Sequence, residues 1–438
     1  MALLVAGCGG SKQAPKTTPV KTPTPQLTRA KPCKDIAGAT CSTLTVPLDR
    51  SGKTAGTLDL RVASAGDRNK PVFVVLSGGP GEPSTPLINR ARQWLGPATA
   101  KVRLVALDTR GTGRHALDCP ALQKAMGASD LTPPTRDQVT GCADKIGDKR
   151  RFYTTRDTVE DLDALRQALN TDTIALDGTS YGTFVAQRYA LAHPQHVSGL
   201  VLDSVVPSEG ASLLSEVSIK ATRRVLGAKT TKELAQVIAS EHNGPQVLDM
   251  LTGLSVGAPR SHAAQNAIHQ AAQGNPKPLD GLIHNVQRVM ERWGAKQLSQ
   301  GLHASTLCAD TPAPWGSAAA PMDGRKAALD AAAAKLSDAD LYPYDRATAT
   351  GNGIALQCLY WPPEPVRDPP PAGRLPDVPV VLLGGTLDLS TPLEWTRQAA
   401  TRAPHGKLIV VENDGHGVQS QKDPKALGAV RALVASLR

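Results

Sequence analysis

A chain of 438 residues, 40% hydrophobic and 20% charged, is long enough for a large α/β core with an insertion and unlike a disordered polyelectrolyte. Its net charge of +10 is concentrated at one end: Lys12, Lys16, Lys21, Arg29, Lys31 and Lys34 fall between Gly9 and Lys34 with no acid among them, leaving +4 elsewhere. No aromatic residue interleaves that run, which argues against a single-strand stacking surface and against nucleic acid as a partner.

The first eight residues end in Leu3-Leu4-Val5-Ala6-Gly7-Cys8, an apolar stretch with small residues before a cysteine. It resembles the lipobox of a bacterial lipoprotein signal peptide, of which 1–8 is a truncated end, and this implies lipidation of Cys8. Residues 9–32 are rich in Pro, Thr and Lys without apolar periodicity and read as a disordered, extended linker. At about 3.1 Å per residue such a tether holds a domain several tens of Å from a membrane, and its lysines favour an anionic surface. The expectation is an extracytoplasmic protein, lipid-anchored or secreted, that meets the membrane only through this anchor. No later run approaches the roughly 18 consecutive apolar residues of a membrane span.

Ser42–Val46 and Thr57–Val62 read as antiparallel strands, and Val72–Leu76 and Val102–Leu107 as the next two. In 157–169, Val159, Leu162, Leu165 and Leu169 recur at helical spacing, and the apolar strand 173–177 follows. A helix over 183–192 and a strand within 197–203 continue the alternation, which specifies a mostly parallel sheet covered on both faces. From 208 to 376 the alternation gives way to helical stretches at 231–238, 262–273 and 324–336, read as a helical cap. Strands at 378–383 and 407–411 resume the pattern. The chain therefore divides into a first core segment at 33–207, the cap at 208–376 and a second core segment at 377–438.

The chemistry sits at the ends of these strands. Gly178-Thr179-Ser180-Tyr181-Gly182 joins a strand to a helix, and glycines around a serine allow the tight turn that exposes a hydroxyl nucleophile. A hydroxyl needs a base, an acid to orient it and oxyanion donors. Asp388 follows the strand at 378–383, and His416 follows the last strand between Gly415 and Gly417, which completes the chain order nucleophile, acid, histidine. Asp414 competes with Asp388 as the orienting acid; the post-strand position favours Asp388. The glycine-rich loop Ser77–Gly81 offers backbone donors, and Gly79 and Tyr181 are the candidate oxyanion hole. Asp108-Thr109-Arg110-Gly111-Thr112-Gly113 lacks a full dinucleotide-binding pattern, so Asp108 and Arg110 are read as structural partners. No metal set is evident among the histidines or cysteines, and no cofactor is expected.

These motifs, in this order, resemble the α/β-hydrolase serine peptidases. Within that group the chain is most similar to secreted actinobacterial tripeptidyl aminopeptidases, with proline iminopeptidases more distant. Val46-Pro47-Leu48-Asp49, Asp161-Leu162-Asp163-Ala164-Leu165-Arg166, Cys308-Ala309-Asp310, and Cys358 with Trp361-Pro362 add to the resemblance, which spans roughly 33 to 435. It departs from the pattern at Ser77 and at Glu82. It implies an α/β-hydrolase fold with a helical cap and a serine exopeptidase acting through an acyl-enzyme on peptides with a free N-terminus. A carboxylate must then hold the substrate amine, and Glu82, Asp310, Glu209 and Glu216 are the candidates. A carboxylesterase or lipase using the same three side chains, and a non-catalytic binding protein on this scaffold, are the competing readings. Apart from Cys8, six cysteines remain in a chain that reads as exported; pairing of sequence neighbours is expected, Cys33 with Cys41, Cys119 with Cys142 and Cys308 with Cys358.

Overall fold

The computed structural model describes residues 25–365 and 373–438; Cys8, its apolar flank and the linker up to residue 24 lie outside the described residues. One sheet carries the molecule. Its strands are β1 (Leu27–Pro32), β2 (Thr40–Pro47), β3 (Thr57–Ala65), β4 (Val72–Leu76), β5 (Arg103–Leu107), β6 (Ile174–Thr179), β7 (Val197–Asp203), β8 (Pro379–Gly385) and β9 (His405–Val411). They lie in the order β1-β2-β3-β5-β4-β6-β7-β8-β9. Pairing is antiparallel from β1 through β3 to β5, then parallel from β5 to β9.

One expectation is corrected at the start. Residues 27–32, assigned to the linker by composition, form β1, an edge strand paired with β2. The Cys33–Cys41 disulfide ties the chain beside β2 immediately after this segment, so an extended Pro- and Lys-containing stretch is delivered to an open edge. Lys and Pro are the residues that natural edge strands tolerate.

Strand alternation sets the two faces of the core. β4 is buried throughout. Val72, Val74 and Leu76 face Leu162 and Leu165 of the helix Thr155–Ala168 and Val185 and Tyr189 of the helix Tyr181–Ala192. Phe73 and Val75 point the other way, toward Ile88 of the helix Leu87–Leu95 and Val430 of the helix Pro424–Ser436. A parallel sheet covered on both faces explains why these strands read as continuous apolar runs rather than alternating ones.

Between β7 and β8 the described residues form helices and connecting turns, from Glu216–Glu241 to Gly353–Tyr360, around a core of their own that includes Leu234, Leu248, Ile268, Leu279 and Leu329. Disulfides join Cys119 to Cys142 and Cys308 to Cys358. Arg110 is fully buried and meets Asp161 with Nε and Nη2, both at 2.8 Å, while Nη1 donates to the Phe152 carbonyl. Arg50 also meets Asp161, at 2.5 Å, so the buried carboxylate is shared between two guanidinium groups. The Arg110–Asp161 pair fastens the loop after β5 to the helix that precedes the serine.

Candidate active site

β4 and β6 are neighbours in register, Leu76 beside Gly178, so the loops that follow them face each other at the carboxyl ends of the strands. The strand order reverses at β4, the position where open α/β sheets leave a crevice. Ser180 sits in the turn out of β6 with φ 56° and ψ −126°, a backbone conformation that L-residues rarely adopt. Two glycines make the turn possible by contact as well as by torsion. A Cβ on Gly178 would lie 2.4 Å from the Gly182 carbonyl oxygen, and one on Gly182 would lie 2.6 and 2.7 Å from the Leu76 and Ser77 carbonyl oxygens. The serine turn is thus pressed directly on the loop after β4, where a Cβ on Gly78 would come within 3.0 Å of the Ser180 Cβ.

Asp388 and His416 converge from the ends of β8 and β9. His416 Nδ1 lies 3.1 Å from Asp388 Oδ2 and 3.3 Å from Oδ1. Asp388 is fully buried and accepts further bonds from the Ser390 and Thr391 N–H groups, each 2.9 Å, and from Thr391 Oγ1 at 2.7 Å. Asp414, the sequence competitor, instead meets Arg260. Burial works against the charged imidazole of His416, but the carboxylates of Asp388, Asp203 and Glu82 outweigh it and hold the ring above the ordinary histidine value.

Two residues that sequence reasoning missed hold these loops in place. Asp203, at the end of β7, accepts the Ser180 N–H on its backbone oxygen at 2.9 Å. Its carboxylate accepts the Val418 and Gln419 N–H groups, both at 2.9 Å, just beyond His416. Burial pushes Asp203 up to about 6 against those hydrogen bonds, and burial pushes its neighbour Asp177 up to about 7. The second is Ser255, near the end of the cap helix Gly244–Gly257: its backbone oxygen accepts the His416 N–H at 2.9 Å and its Oγ accepts the Leu389 N–H at 3.2 Å. A Cβ on Gly415 would lie 2.0 Å from that Ser255 oxygen. The signal for Asp203 was present in the sequence, an acid closing an apolar strand; nothing local marks Ser255.

Two cavities meet at Ser180. The smaller, about 80 Å³, is lined by Gly79, Asp130, Tyr181, Phe184 and Asp310. The larger, about 440 Å³, is lined by Gly79, Glu82, Asp130 and His416, with apolar walls from the cap. Asp310 Oδ2 accepts from Thr155 N at 2.7 Å and Thr155 Oγ1 at 2.5 Å, and that Oγ1 also meets the Tyr181 hydroxyl. Burial pushes both Asp310 and Glu82 up. Glu209 instead pairs with Arg402, and Glu216 opens the helix Glu216–Glu241; neither lines these two cavities. Gly79, at φ 102°, and Tyr181, the first residue of its helix, flank the serine with amide groups that make no hydrogen bond to another described residue.

The family described as alpha/beta hydrolase fold matches residues 71–423. The chain belongs to that family. This α/β hydrolase is 24% identical over 493 residues to the serine protease Hip1 of Mycobacterium tuberculosis, spanning 97% of its own length and 91% of that protein. It is 29% identical over 189 residues to the tripeptidyl aminopeptidase of Streptomyces lividans, over 38% of this chain and 35% of that one. Among solved structures, the α/β-hydrolase enzyme MGS-M2 from a Medee basin deep-sea metagenome library aligns with 87% of this chain and 95% of its own at a TM-score of 0.44 and 13% identity.

The contact between the serine turn and the loop after β4 is open to test. Gly182→Ala must push the turn away from the Leu76 and Ser77 carbonyls, and displacements near 1 Å at a reacting centre cost about a hundredfold in rate. Labelling of Ser180 by a fluorophosphonate is expected to slow by about that factor, measured beside a thermal melt that reports whether the fold persists.

Proposed function

We propose that this α/β hydrolase is an exported serine exopeptidase that removes short peptides from free N-termini through an acyl-enzyme. The observation that carries the reading is a serine in a strained strand-to-helix turn, sharing a cavity with a histidine whose Nδ1 lies 3.1 Å from a buried aspartate. In this reading His416 takes the Ser180 proton as the hydroxyl attacks the carbonyl, and Asp388 holds the ring and stabilises the imidazolium. The amides of Gly79 and Tyr181 receive the oxyanion. His416 then protonates the leaving amine, and water, activated by the same imidazole, releases the acyl group. Peptide as substrate is supported by the likeness to a serine protease and a tripeptidyl aminopeptidase.

Of the carboxylates weighed for the substrate amine, Asp310 fits best. It lines the small cavity with Ser180, and its Oδ1 accepts no hydrogen bond from the described residues, which leaves an oxygen for an ammonium group. Glu82 lies on the other side of the serine, with His416. Export is supported by three disulfides among the described residues, and anchoring by the apolar run before Cys8.

Amine release from unblocked peptide amides is expected to fall by about 10⁴-fold or more in Ser180→Ala, and the ratio of unblocked to N-acetylated substrate turnover to drop toward one in Asp310→Asn; equal turnover of blocked and unblocked peptides by the wild type would remove the exopeptidase reading. The neutral imidazole is the base, so kcat/KM should decline as pH falls through a value above about 6.5. In Asp388→Asn that acid limb moves to lower pH while kcat/KM drops about 10⁴-fold, checked by a full pH profile. Finally, in cells that make the protein natively, Cys8→Ala should transfer the enzyme from the membrane fraction to the medium.

A further inference from the structure

The two cavities at Ser180 are not equivalent. Gly79, Asp130 and Ser180 line both, yet of the two only the larger is lined by His416. In acyl transfer through a serine, the imidazole that accepted the hydroxyl proton delivers it to the departing atom, so the leaving group must lie on the histidine side. Both cavities have apolar walls, and the larger one offers the greater apolar surface. Its walls come from two cap helices, Gly244–Gly257 and Lys277–Met290, which approach closely at Gly253, where a Cβ would lie 2.7 Å from Val286 Cγ1. Ser255, in the first of these helices, is the residue whose backbone oxygen holds the His416 N–H. The described residues have four exposed large hydrophobic side chains, and three of them, Val256, Val289 and Trp293, line this cavity. The acids beside the reaction centre in it are Glu82 and Asp130.

We infer that the large cavity is the leaving-group site and selects substrates whose departing residue is apolar, while the small cavity receives a short acyl group. This rests on the acyl-enzyme reading given above. Apolar walls reward removal of hydrocarbon from water, and two carboxylates disfavour an acidic leaving residue. The same cavity must also seat any amine that attacks the acyl-enzyme in place of water: the amine nitrogen bonds to the acyl carbon, the bond to Ser180 Oγ breaks, and His416 passes the amine proton to that oxygen. Leaving-group preference and acceptor preference are therefore expected to coincide.

Kinetics with one fixed acyl group and phenylalanine amide, leucine amide, glycine amide or aspartate amide as leaving group test this directly. The apolar leaving groups should exceed glycine amide by at least about tenfold in kcat/KM, and aspartate amide should be poorest. When the same acyl group is supplied as an ester, phenylalanine amide should divert more acyl-enzyme from hydrolysis to peptide synthesis than glycine amide does. Val256→Asp and Val289→Asp, both at exposed positions and so expected to fold, should shrink each ratio toward one. Fluorophosphonate labelling of each variant reports that the reactive serine persists. A flat leaving-group series in a labelled, active enzyme would overturn the inference, as would a leaving-group preference that survives unchanged in both valine variants. Absence of labelling and of turnover in the wild type would instead remove the acyl-enzyme reading beneath it.

Discussion

The carboxyl end of β7 is the point on which the site depends. Asp203 binds the serine turn through its backbone oxygen and the histidine loop through its carboxylate, so one residue spans the two segments that must be held together. Its strand lies between β6, which leads into Ser180, and β8, which leads into the Asp388 loop. The arrangement has an electrostatic cost. Asp203 and Asp177 are both buried, and Gln419 donates to Asp177 with its side chain while its backbone N–H serves Asp203. Burial raises both acids far above ordinary carboxylate values. Two acids in one dry site cannot ionise independently, so the fold accepts destabilisation here to fix the loop that carries His416.

The cap takes part in this scaffold as well as covering it. Ser255 reaches the histidine loop with its backbone oxygen and the Asp388 loop with its hydroxyl, and Gly415 permits the approach because a side chain there would overlap that same oxygen. One helix end thus both sets the position of His416 and forms a wall of the larger cavity. Mutations in the cap helix Gly244–Gly257 are thereby linked to the chemistry through a direct contact.

Much of the core was legible because burial on both faces leaves its strands as continuous apolar runs: β4, β6, β7, β8 and β9 stood out against polar turns, and the order of Ser180, Asp388 and His416 followed from the loops after them. β1 was not legible, since Leu27–Pro32 has linker composition and its pairing with the edge of β2, beside the Cys33–Cys41 disulfide, is a long-range contact. The candidate site was legible in the three side chains whose loops meet, Ser180, Asp388 and His416, and opaque in their supports. Ser255 lies 161 residues before His416, and a backbone carbonyl has no sequence signature at all. Glu82 and Asp310 could be named as acids near the site, yet which side of the serine each occupies is a property of the folded loops.

Why Asp388 rather than Asp203 meets the imidazole follows from where their acceptor capacity goes. Asp203 gives one carboxylate oxygen to the Val418 N–H and the other to Gln419, both backbone donors of the loop itself. Asp388 receives Ser390, Thr391 and the Thr391 hydroxyl from its own loop, a local set of donors that stabilises the carboxylate without drawing on the histidine segment, and still presents both oxygens to Nδ1. Donors supplied by its own loop fix Asp388 in place; Asp203, spent on the neighbouring loop, acts on the ring only through its field. Two acids at the ends of parallel strands, alike in sequence, are thus separated into an orienting partner and a loop anchor by the amides that happen to fold around each.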